Sequence, residues 1–168
     1  MTVEVENQPN GIRIIKLTGA SASKSFSRES LPIIANAIDN GLKDSEIKGM
    51  VITGEGKFFS AGADIHAFQE AIDANDAPQL IRYLTNILHP LLMRIRESST
   101  IVVAAINGAA AGGGLGLALA CDARIASPRA KLAASYAGIG LSPDGGTTWL
   151  LPRSVSYTHL TLPTILLV

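Results

Sequence analysis

A single cysteine, Cys121, stands in 168 residues, so no internal disulfide framework and no paired thiolate ligands are available. It falls between an apolar helix and a strand, where buried packing is expected. The three histidines, His66, His89 and His159, are scattered without metal-ligand spacing and read as surface or partly packed side chains. No metal site is therefore expected. Aromatic residues make up only 5%, and 14 basic side chains balance 14 acidic ones. Without a basic run or interleaved aromatics, nucleic acid is not an expected partner. The N-terminus has Glu4 and Glu6 in place of a basic-then-apolar leader, which with the lone cysteine points to a reducing, cytoplasmic or matrix-like compartment. The uncharged stretch 101–121 is long enough for a bilayer, but its glycines and alanines keep it only modestly hydrophobic. Strand, turn and helix are expected there rather than a membrane span. Neither G-x-G-x-x-G, nor a phosphate loop, nor G-x-S-x-G occurs.

What the chain does have is concentrated in IVVAAINGAAAGGGLGLALACDARIA, Ile101 to Ala126. The β-branched run Ile101–Ile106 predicts a strand covered on both faces. Asn107-Gly108 ends it, and Gly112, Gly113 and Gly114 lead into an Ala/Leu helix through Ala120, followed by a second strand. Bare N–H groups at such a helix start suit an anion, or an oxygen about to become one.

Elsewhere the patterns predict strands at Gly11–Leu17 and Gly49–Thr53 and a helix at Leu31–Leu42. A short helix is expected at Ile65–Ala71. A long one, capped by Asp76, runs to about Arg96, with Pro90 expected to kink or interrupt it. Lys131–Ala133 reads as a short strand, Gly138–Asp144 as a loop and Gly145–Leu151 as a helix opening. This succession predicts one α/β domain over residues 1–153.

Three ordered blocks, SAGADIHAF at 60–68, NGAAAGGGLGLALACD at 107–122 and GLSPDGGTTWLLPR at 140–153, resemble the enoyl-CoA hydratase/isomerase family, the crotonase superfamily. The third block is similar to the phenylacetate-type enoyl-CoA isomerases. The resemblance implies a spiral core of repeated ββα units, a homotrimer or hexamer in the full-length form, and an acyl-CoA thioester as substrate, with CoA belonging to the substrate and no separate cofactor. It also implies that the backbone N–H groups of Ala63 and Gly113 form an oxyanion hole. By themselves, both loops also read as tight turns. Ala61, Asp64 and Ile65 are implied as CoA contacts, and Asp64 can cap the helix that follows. His66 stands where relatives often have a basic residue, and Gly19–Ser25 replaces the family's N-terminal signature.

Two catalytic glutamates of family hydratases would fall at Gly116 and Tyr136, neither of which can activate water. Tyr136 is retained as a candidate substrate contact. Asp144 is the carboxylate left in the third block, and the resemblance implies a catalytic acid/base there. Leu141, Trp149 and Leu150 are the apolar neighbours expected to raise its pKa. Pro-Asp-Gly-Gly is also a turn signal, so Asp144 as a helix cap stands beside Asp144 as base. Isomerisation of an enoyl-CoA is the reading adopted, with hydration as the runner-up and a non-catalytic acyl-CoA-binding or assembly protein as the rival class. Residues 154–168, SVSYTHLTLPTILLV, match nothing expected after Leu-Pro-Arg. They are expected to be a foreign tail on a truncated or frame-shifted reading, with a natural tail pairing as an edge strand as the alternative.

Overall fold

The computed structural model describes residues 3–155. The tail expectation beyond Val155 lies outside the described residues. Two sheets organise the chain. The larger runs β1 (Val3–Asn7), β2 (Ile12–Leu17), β3 (Gly49–Gly54), β5 (Ile101–Ile106), β7 (Ala123–Ala126), in that spatial order. β1 and β2 are antiparallel, and every later pairing is parallel. The smaller sheet orders β4 (Phe58–Ser60), β6 (Ala109–Ala111) and β8 (Lys131–Ala133), all parallel.

Each successive strand pair gives one member to each sheet. β3, β5 and β7 enter the large sheet, while β4, β6 and β8 enter the small one. Helices follow these pairs: α3 (Ile65–Asp73) and α4 (Ala77–Glu97), then α5 (Gly113–Ala120), then α6 (Thr147–Ser154). This is the expected spiral of ββα units. The short α1 (Ala20–Ser23) and the amphipathic α2 (Ser30–Leu42) belong to the opening turn.

Apolar spacing explains the packing. α2 buries Leu31, Ile34, Ala35 and Ile38, and α4 buries Leu84, Leu88, Leu91 and Ile95, each at helical period. They meet Ile15, Leu17, Ile52 and Val102 of the large sheet in one core. Arg94 locks α4 to α2 through a two-pronged pair with Asp39, at 2.7 and 2.8 Å. α5 is buried along its whole length, so its wholly apolar composition of Gly, Ala and Leu is required on every face.

Several expectations need correction. β1, β4 and β6 were not predicted, and α6 starts later than expected. The helix containing Pro90 is continuous from Ala77 to Glu97. Its buried residues on both sides of the proline, Leu88 and Leu91, hold the two halves against one core. Asp76 occupies the cap position of α4 without a side-chain capping bond, and its carboxylate pairs with Arg28 at 2.8 Å. Residues 101–121 form β5, β6 and α5, and among the described residues no helix is long and apolar enough to cross a membrane.

Candidate active site

Because β4, β6 and β8 are parallel, their C-terminal ends emerge at one edge of the small sheet. That edge gathers the loops 61–64, 112–113 and 134–136, the place where parallel sheets expose ligand-binding loops. Asn107 fixes two of these strand pairs together. Its Oδ1 accepts from Gly54 N at 2.9 Å, and its Nδ2 donates to Phe58 O at 3.1 Å.

The main chain is drawn tight at this edge. Gly62 has φ +83°, and an ideal Cβ there would lie 2.7 Å from Ala111 O and 3.5 Å from Gly113 N. Only glycine lets the Ala63 segment approach the start of α5 so closely. Gly112, at φ 52° and ψ −126°, turns the chain into α5, and the first helical bond runs from Gly116 N to Gly112 O at 3.1 Å. The N–H groups of Gly113, Gly114 and Leu115 therefore precede the helical ladder.

A cavity of about 570 Å³ opens here. Ala61, Ala63, Ile65, Gly113, Tyr136 and Asp144 all line it, bringing together six of the seven sequence-derived candidates. One wall is a stripe of α4, namely Ile81, Leu84, Leu88 and His89, and Phe26, Phe68 and Ile139 extend the apolar lining.

Asp64, the seventh candidate, lines a neighbouring cavity of about 390 Å³. It caps α3 by accepting from His66 N at 3.1 Å and pairs with Lys24 at 2.8 Å. Partial burial works against its ionisation, but the Lys24 hydrogen bond and the helix-start N–H groups outweigh that and hold its pKa below the ordinary value. The same contact raises Lys24.

Asp144 does not cap α6 with its side chain. Gly146 is the cap, and the main-chain O of Asp144 accepts from Thr147 N at 3.0 Å. Its carboxylate is left to face the cavity, with Oδ2 3.3 Å from His89 Nε2. Of the three apolar neighbours expected around it, only Leu141 lines the cavity. Trp149 is 63% exposed and stacks under Arg153, while Leu150 packs against the core. His89 was missed as a site residue, since its partner lies 55 positions away and α4 gives no local signal for the meeting.

The sequence pattern of one family, described as enoyl-CoA hydratase/isomerase, matches residues 7–160. The chain belongs to the enoyl-CoA hydratase/isomerase family. A Mycobacterium tuberculosis protein named "Probable enoyl-CoA hydratase EchA14" is 41% identical over 119 residues, covering 71% of this chain and 44% of the relative. The 1,2-epoxyphenylacetyl-CoA isomerase of Escherichia coli is 34% identical over 143 residues, covering 85% and 54%. Among solved structures, the enoyl-CoA hydratase of Polaromonas sp. JS666 superposes with a TM-score of 0.79 at 32% identity, covering 95% of this chain and 61% of that one. The chain spans about half the length of the curated relatives it matches.

Gly116 and Tyr136 stand at the two positions for which the resemblance implied glutamates. At Gly116, a Cβ would lie 3.0 Å from Gly145 O and 3.4 Å from Thr147 Oγ1, so the loop after Asp144 occupies that space. Tyr136 is buried, with its hydroxyl 3.4 Å from both Thr147 Oγ1 and Asp144 O. Burial pushes its phenol up to about 12, and the neighbouring carboxylate of Asp144 adds to the rise. It is a neutral hydroxyl at physiological pH.

Proposed function

We propose that this chain carries the catalytic core of an enzyme that moves a carbon–carbon double bond in an acyl-CoA thioester. The supporting observation is that Asp144 is the one carboxylate among the described residues lining the cavity that also contains Ala63 and Gly113. In this reading, the thioester oxygen accepts from the N–H groups of Ala63 and Gly113. A donor of that kind stabilises a developing oxyanion by about 3–4 kcal/mol. Asp144 takes a proton from C2 of a 3-enoyl thioester, the electrons spread into a dienolate held by the hole, and the same carboxyl group returns the proton at C4. One acid/base suffices because no water is added. Such proton transfer contributes about 10²–10⁴-fold.

Tyr136 contributes a neutral wall and a hydroxyl near the Asp144 main chain, while Ala61 and Ile65 flank the entry for the CoA arm. Asp64, held by Lys24, shapes the loop carrying Ala63. The exposed Ile125 and Leu132 of β7 and β8 are apolar surface suited to burial in a trimer or hexamer. A buried, free Cys121 suits a reducing compartment such as the cytoplasm.

Hydration is the second reading, favoured by the name of the Mycobacterium tuberculosis relative. Gly116 and Tyr136 weigh against it, because neither supplies a carboxylate. Incubation with a 3-enoyl-CoA and a 2-enoyl-CoA separates the readings by product. Migrated double bonds support isomerisation, and 3-hydroxyacyl-CoA supports hydration. Tight binding without α-proton exchange supports a non-catalytic binding protein.

A further inference from the structure

We propose that His89 is a positioning residue for Asp144, its Nε2–H holding one carboxylate oxygen so that the other is left as the basic atom. This rests on the reading of Asp144 as the base. His89 Nε2 is 3.3 Å from Asp144 Oδ2, and both side chains line the same cavity. The two come from independent elements: His89 sits in the middle of α4, and Asp144 on the loop entering α6. α4 is anchored at its buried face by Leu88 and Leu91 and tied to α2 by Arg94 and Asp39, so the imidazole is presented from a fixed support.

The need for such support follows from the loop itself. Asp144 is followed by Gly145 and Gly146, both at positive φ, and its side chain makes no capping bond to α6. Among the described residues the carboxylate meets the His89 imidazole, at 3.3 Å, and the Tyr136 hydroxyl beside it; of the two, His89 is the one presented from a separate helix. A carboxylate able to spin about its final torsion presents its two oxygens interchangeably. One donated hydrogen bond to Oδ2 removes that freedom and directs Oδ1. The required tautomer has the proton on Nε2, since an Nε2 lone pair facing a carboxylate would repel it.

Two measurements test this. Long-range ¹H–¹⁵N NMR of the chain above the imidazole titration reads the tautomer directly and needs no turnover. The Nε2–H form is expected at His89, and an Nδ1–H form overturns the proposal. The second measurement is exchange of 3-enoyl-CoA protons into D₂O. His89→Leu should lower kcat by about tenfold or more with KM nearly unchanged, and His89→Gln, whose amide can still donate, should recover most of the loss. His89 lies on the exposed side of α4, so far-UV circular dichroism of both variants is expected to match the parent. A His89→Leu rate within about twofold of the parent, beside an inactive Asp144→Asn, overturns the positioning role alone. An active Asp144→Asn overturns the base reading and this proposal with it.

Discussion

The ring of Phe26 occupies the space that a side chain at Gly113 would need. An ideal Cβ on Gly113 would lie 2.5 Å from Phe26 Cε2 and 3.5 Å from Leu88 Cδ2. Phe26 is itself buried and bridged to Ala63, so one ring backs both loops of the proposed oxyanion hole. Gly113→Ala should therefore destabilise the protein by about 1–3 kcal/mol despite alanine's better helix propensity. Chemical denaturation checks this. Adding Phe26→Leu to Gly113→Ala should cost less than the two single losses summed, a coupling that a double-mutant cycle detects.

Placing a glutamate at position 116 should not create a hydratase. The Gly145 carbonyl and Thr147 hydroxyl lie at 3.0 and 3.4 Å from the new Cβ, so the loop after Asp144 must shift to admit any side chain there. Gly116→Glu is expected to cost about 1–3 kcal/mol or more. Assay with a 2-enoyl-CoA should show no gain in 3-hydroxyacyl-CoA.

Acid should weaken the Lys24–Asp64 contact. Asp64 has its folded pKa below 3.8, so the stability it adds is present above that value and is lost as pH falls through the lowered folded value. Lys24 is raised above 10.5, and its side of the same contact is lost as pH rises through its folded value. Asp64→Asn should lower Tm at pH 7, with the difference from the parent closing at both extremes. Asn can keep the capping bond to His66 N, so the pH-dependent part reports the charge. Scanning calorimetry across pH reads it.

Tyr136 sets an alkaline limit. The unfolded phenol ionises near 10.0 and the folded one near about 12, so stability is complete below the first value and falls as pH rises toward the second. Tyr136→Phe removes this slope. Thermal unfolding of the two proteins between those pH values should show a steeper decline in the parent.

The fold was legible where side chains carry a period. Ile101–Ile106 is a strand with the expected bounds, and α2 and α4 follow their buried leucines and isoleucines. β6 was not legible, because Ala109–Ala111 has no strand character of its own and exists as a strand through pairing with β4 and β8. The candidate site was legible only in its three blocks. Their convergence depends on three parallel strands ending together, which local pattern does not encode. Asp144 illustrates the limit: the turn signal around it is real, but the main-chain oxygen fulfils it and frees the carboxylate. His89 illustrates it again, since a histidine on an exposed stripe becomes a site residue only when α6's approach loop is placed beside it.

Solvent isotope incorporation during turnover of a 3-enoyl-CoA in D₂O, with and without Asp144→Asn, tests the central claim most directly. The account predicts conversion to the 2-enoyl-CoA with deuterium entering the migrating positions, and a loss of about 10²–10⁴-fold in the Asn variant. Rapid formation of 3-hydroxyacyl-CoA with little migration, or an Asn variant as fast as the parent, would contradict it.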